Sequence, residues 1–226
     1  MLAPRSRRGV VGVCARSLTV IFVAWTLLLP PPLFAYHKRL SQEEVTEAYY
    51  LGQRRDAQLT HFFNRYQRNL SMPREPGDYV SSVIIRTPFA LAVLRSYTAI
   101  GHYTAQDAWQ DYQAALDEFE VVAYLDYSYG NKSVPPSDPP VARDPVRGFY
   151  VQVKQWRNNE QRVLVAHDAY LERDFLGFFG NEIMPTAIPL HAYFRIEDID
   201  SSELTVEVTI PAGRRVVVTY NLEDLR

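Results

Sequence analysis

The chain has 226 residues, with 24 basic against 26 acidic side chains, a formal charge of −2 and one cysteine. A hydrophobic fraction of 47% with 22% charged residues is globular composition and excludes a largely disordered chain. A single cysteine excludes a disulfide framework and a cysteine-based zinc site, and a pI near 6.2 gives no footing for nucleic-acid binding.

The first 35 residues hold Arg5, Arg7, Arg8 and Arg16 and no acid. An apolar run from Leu18 to Leu29 follows, then Pro30-Pro31-Pro32 and Leu33-Phe34-Ala35. A basic head, an apolar stretch and a small residue after a helix breaker is the layout of a secretory signal. The run is short of the roughly 20 residues that a membrane span needs. The expectation is cleavage after Ala35; left uncleaved, the segment is an anchor with its arginines in the cytoplasm. Cys14 precedes the apolar run, which argues against lipidation there. Residues 36–226 then carry 20 basic and 26 acidic side chains, a formal −6, no cysteine and all 15 tyrosines.

Ser41 and Glu44 form a capping-box pattern, and apolar residues from Val45 to Leu70 recur at spacings of three, four or seven. That periodicity predicts one helix of about 28 residues, with Gly52 on its stripe as a point of close approach or a break. Pro73 and Pro76-Gly77 end it. Tyr79–Arg86 reads as a strand by its β-branched content. Phe89–Tyr97 suits either period, and Pro88 at a first helical position favours helix. Thr104 caps a further helix with Ala108, Trp109, Tyr112, Leu116 and Phe119 on its stripe.

From Phe119 the period becomes two, with Val121, Ala123 and Leu125 on one face. A loop from Gly130 to Gly148 holds five prolines and reads as extended and exposed. Tyr150–Arg157 and Arg162–Tyr170 form a hairpin around Asn158-Asn159-Glu160-Gln161. Leu190–Glu197 alternates, placing His191, Tyr193, Arg195 and Glu197 on an outer face. Leu204–Ile210, a turn at Pro211–Arg214 and Arg215–Tyr220 make a second hairpin. The expectation is an α+β fold: N-terminal helices followed by an antiparallel β-sheet or β-sandwich. Residues 36–226 form one domain, helical over 41–117 and β-rich over 119–226.

His167 and His191 are the candidate catalytic residues, meeting a carboxylate such as Glu197 if their strands are neighbours. The bland reading is surface or half-buried histidines with hydrogen bonds. Asp198, Asp200 and Ser202 imitate the start of a calcium loop, but Glu203 replaces its glycine and Thr209 its closing glutamate, leaving a solvated turn. Nucleophile-elbow, zinc-protease, phosphate-loop and dinucleotide motifs are missing, and no cofactor or metal is expected. The aromatic surplus offers a ligand platform at Tyr127, Tyr129, Tyr150 and Trp156; the competing reading is rings packed across strands. Leu176–Gly180 reads as a glycine-flanked aromatic loop.

Leu40-Ser41, Glu43-Glu44-Val45, Ala48-Tyr49, Leu51-Gly52, Thr87–Ala90, Tyr103–Ala108 and Tyr220-Asn221-Leu222 resemble a group of uncharacterised exported bacterial proteins. The resemblance implies a bacterial exported origin and carries no catalytic residue. The expected role is an exported domain, periplasmic or extracellular, that binds a protein or carbohydrate without chemistry. It would touch the membrane only through an uncleaved N-terminal segment. Two alternatives stay open: a cell-envelope hydrolase using Asp, Glu or His of the β-rich half, and an envelope scaffold docking through the Val45–Leu70 stripe.

Overall fold

The computed structural model describes residues 38–115, 118–128, 148–172, 176–179, 182–185, 187–211 and 213–225, without the side chains of Tyr127 and of 176–185. These residues belong to one compact unit, Ala35–Arg226. The leader, its cleavage point and the proline-rich loop lie outside them.

The long predicted helix is two helices. α1 (Gln42–Gln53) starts at the Ser41–Glu44 capping box, and α2 (Ala57–Tyr66) starts at Asp56, whose carboxylate accepts from the Gln58 and Leu59 amides. A side chain that captures two amides nucleates a new helix, each such cap contributing about 1 kcal/mol. Arg55 takes φ 51° to make the corner. Gly52 provides close approach: a Cβ there would lie 2.5 Å from the Val93 carbonyl oxygen. That carbonyl belongs to α3 (Pro88–Thr98), opened by Thr87 with Pro88 in its first turn, as the proline suggested. α4 (Ala105–Ala114) starts at a Thr104–Asp107 capping box.

The strands form two antiparallel sheets and a separate hairpin. The first sheet has the order β1 (Gln67–Asn69), β2 (Gly77–Arg86), β3 (Glu118–Ser128), β9 (Ile188–Arg195), β6 (Asp168–Leu171). The second has the order β11 (Arg215–Asn221), β10 (Glu203–Thr209), β4 (Tyr150–Arg157), β5 (Glu160–Val165). β7 (Leu176–Phe179) pairs with β8 (Glu182–Pro185), so the aromatic segment read as a loop is half of a hairpin.

Inward residues of both sheets, among them Val83, Val121, Phe194, Val153, Val206 and Tyr220, share one core. The Tyr220 hydroxyl crosses that core to donate to the Val83 carbonyl at 2.7 Å. Helices α2 and α3 adjoin the first sheet at the same end. α2 runs straight into β1, β2 leads through Thr87 into α3, and Arg86 pairs with Glu120 near the start of β3. The α+β class with N-terminal helices therefore holds. Among the described residues no helix is long and apolar enough to cross a membrane. Val45, Ala48, Leu59, Phe62 and Tyr66 are buried in the chain's own core, so the helical stripe is not free to dock a partner.

Candidate functional site

Two passages between the sheets lie within the described residues. The chain leaves β5 through Ala166-His167 for β6, and it leaves β9 through a short 3-10 turn (Ile196–Asp198) for β10. The single strand expected over Arg162–Tyr170 is thus two strands in different sheets. Acids of the second crossing are neutralised individually. Asp200 meets Lys38 at 2.9 Å and Arg157 at 2.8 Å, Asp198 meets Arg162 at 2.9 Å, and Glu197 meets Arg39 at 2.7 Å. Lys38 foremost holds the Asp200 carboxyl below its usual range. Buried Gln155 accepts from the Asp200 and Ser201 amides at 2.9 and 3.1 Å. The calcium-like segment is therefore an ion-paired crossing rather than a freely solvated turn. Among the described residues no group of three or more His, Cys, Asp or Glu is arranged to hold a metal.

His191 is buried, which corrects its placement on an exposed outer face. Its Nδ1 lies 2.6 Å from Glu120 Oε1, and its Nε2 lies 3.3 Å from Glu172 Oε2. Arg86 donates to the other Glu120 oxygen at 2.9 Å. Burial pushes the Glu120 carboxyl up, but the His191 hydrogen bond and the Arg86 charge outweigh it, and the net shift is downward. The Tyr170 ring stacks on the imidazole with centroids 4.9 Å apart, and its hydroxyl meets that of Tyr193 at 3.2 Å. Burial first, then the Tyr170 hydrogen bond and the Glu120 charge, push the Tyr193 phenol up. Each nitrogen of the imidazole thus faces one carboxylate. The ring is consequently committed at both nitrogens.

A cleft of about 220 Å³ lies between the two crossings. One wall is residues 162–165 of β5 with His167, and the other is Phe194, Arg195 and Asp198. Asp198 is occupied by Arg162. Arg195 and His167, both exposed, have no ion-pair partner among the described residues. A second recess, between α3 and α4, holds about 10 Å³, room for about one water.

The three catalytic candidates do not converge. His167 lines the cleft, His191 pairs across the sheet with Tyr170, three residues farther along β6, and Glu197 faces Arg39. Tyr150 and Trp156 are 65% and 60% exposed on the outer face of the second sheet. They stand six residue steps apart on one strand, about 20 Å, so they do not form one platform. Tyr129 and the Tyr127 side chain lie outside the described residues. Sequence reasoning missed Glu120, Glu172, Arg86 and Arg195. A charged residue on the apolar-alternating β3 strand was the available signal for Glu120. No protein-family model, curated protein or solved structure matches the chain, so its chemistry rests on its own residues.

Proposed function

We propose that the chain is an exported, non-catalytic binding domain whose ligand enters the cleft between β5 and the end of β9. The observation that carries this reading is the cleft's lining. Arg195 and His167 stand there without partners among the described residues, beside the exposed apolar Val163 and Val165. Recessed apolar surface with a few convergent polar groups is the make-up of a ligand site. Its one carboxylate is occupied by Arg162, and no hydroxyl or thiol side chain lines it. That set recognises a ligand and offers no hydroxyl, thiol or free carboxylate as a nucleophile. Export is supported by the basic, then apolar, leader of residues 1–35.

The hydrolase alternative draws on the Glu120–His191 pair, which resembles the base-and-orienter half of a catalytic triad. Against it stands Glu172 on the remaining nitrogen, where a nucleophile would sit. The test is to titrate the purified full chain with propionate, following the Arg195 and His167 resonances, and to assay ester and glycosidic substrates alongside. Saturable shifts at the cleft without turnover are expected. Turnover abolished by His191→Leu would overturn the reading.

A further inference from the structure

The cleft has a property that its side chains alone do not reveal: one wall is the open edge of a sheet. Among the described residues β5 pairs only with β4. The two-residue turn between them has φ 50° at Asn158 and 65° at Asn159, the type I′ hairpin geometry that makes its flanking pair hydrogen-bonded. Arg157 and Glu160 are that pair. Alternation then directs the backbone groups of Glu160, Arg162 and Leu164 toward β4, and those of Gln161, Val163 and Val165 outward. No backbone hydrogen bond to the outward groups is formed by another described segment. Val163 and Val165 therefore present amides and carbonyls along the cleft in which Arg195 and His167 stand without partners.

We infer that this cleft receives an extended acidic peptide, which adds a strand to the β5 edge and sets a carboxylate against Arg195 and His167. The inference rests on the binding reading above and names the ligand class for the same site. An exposed edge strand is a template for pairing, and strand addition takes affinity from main-chain hydrogen bonds and selectivity from flanking pockets. The exposed Val163 and Val165 side chains supply apolar surface beside the pairing edge. Arg162 is held by Asp198 and Asp200, which leaves Arg195 as the fixed charge available to the ligand. The carboxylate can be a chain terminus or an acidic side chain, and the probes separate the two.

The experiment uses the purified full chain and three acetylated Val/Thr pentapeptides. One has a free terminal carboxylate, one is amidated with a central Glu, and one is amidated and uncharged. Amide hydrogen exchange and chemical shifts are read at each titration point. Expected are binding of at least one charged peptide, slowed exchange at the Val163 and Val165 amides, and about tenfold or greater weakening for the uncharged peptide and for Arg195→Gln. The stronger of the two charged probes identifies the carboxylate's source. Val163→Pro removes an outward donor without touching the β4 ladder, and edge strands tolerate proline; it should abolish the exchange protection. Should that variant fail to fold, Arg195→Gln and the uncharged probe carry the test. Equal binding of charged and uncharged peptides, or no peptide binding, overturns the inference. Propionate shifts without any peptide-dependent amide protection also overturn it, while leaving the binding reading standing.

Discussion

His191 and Glu120 meet at 2.6 Å on the face of the first sheet turned away from its partner sheet. Two strands bring them there: Val122 pairs with His191, and Glu120 sits diagonally across on the same face. A buried charge pair at the middle of a sheet is tolerated only when its remaining lone pairs and protons are satisfied. Here Arg86 and Glu172 satisfy them.

Removing either partner should therefore cost stability unequally. His191→Leu removes one charge-assisted hydrogen bond while Arg86 still holds Glu120, an expected loss of about 1.5–3 kcal/mol. Glu120→Leu leaves Arg86 and the buried His191 Nδ1 without the carboxylate they share and should cost about 3–5 kcal/mol. Urea unfolding of both variants and the double variant checks this, with a double-variant loss smaller than the sum of the singles.

Acid should destabilise the fold partly through Glu120. Its folded carboxyl value lies below the unfolded one, so the unfolded state binds the proton more tightly. The stabilisation is full above the unfolded value, about 4.3, and disappears as pH falls through the folded value. Asp200 has the same sign. Urea midpoints measured from pH 7 to pH 3 should fall less steeply for Glu120→Gln than for the natural chain.

Gly52→Ala should destabilise although alanine is the better helix former by about 1 kcal/mol. The added methyl would lie 2.5 Å from the Val93 carbonyl and 2.8 Å from the Ser96 Cβ. Backbone cannot yield as a side-chain tip does, so overpacking of about 1–3 kcal/mol should prevail. A thermal midpoint lower than that of the natural chain is expected.

Trp156→Ala should change stability by no more than about 0.5 kcal/mol, since its side chain is largely exposed. It should leave titration of the cleft unchanged. The same denaturation and titration experiments check both expectations.

Local signals were legible wherever one residue type dictates a conformation. Ser41, Thr87-Pro88 and Thr104 started helices where expected, and the expected hairpin formed, with a turn of Asn158-Asn159 alone because Glu160 and Gln161 pair within β5. The break at Asp56 was hidden because the apolar stripe continues across it: Leu59 and Phe62 stay in phase with Val45, while the capping carboxylate looks like one more polar surface residue. The passage from β5 to β6 was hidden for a related reason. Period-two patterning records which face is buried, not which sheet the face belongs to. His191 shows the larger limit. Its partners Glu120 and Glu172 come from other strands, and only pairing register places them together.

Amide-resolved shift mapping of the full chain during titration with the carboxylate-terminated Val/Thr peptide tests the assignment of function to the cleft most directly. The largest changes should fall on residues 162–167 and on Phe194 and Arg195. Changes centred on Tyr150, Trp156 and Val217, with the cleft unaltered, would contradict it.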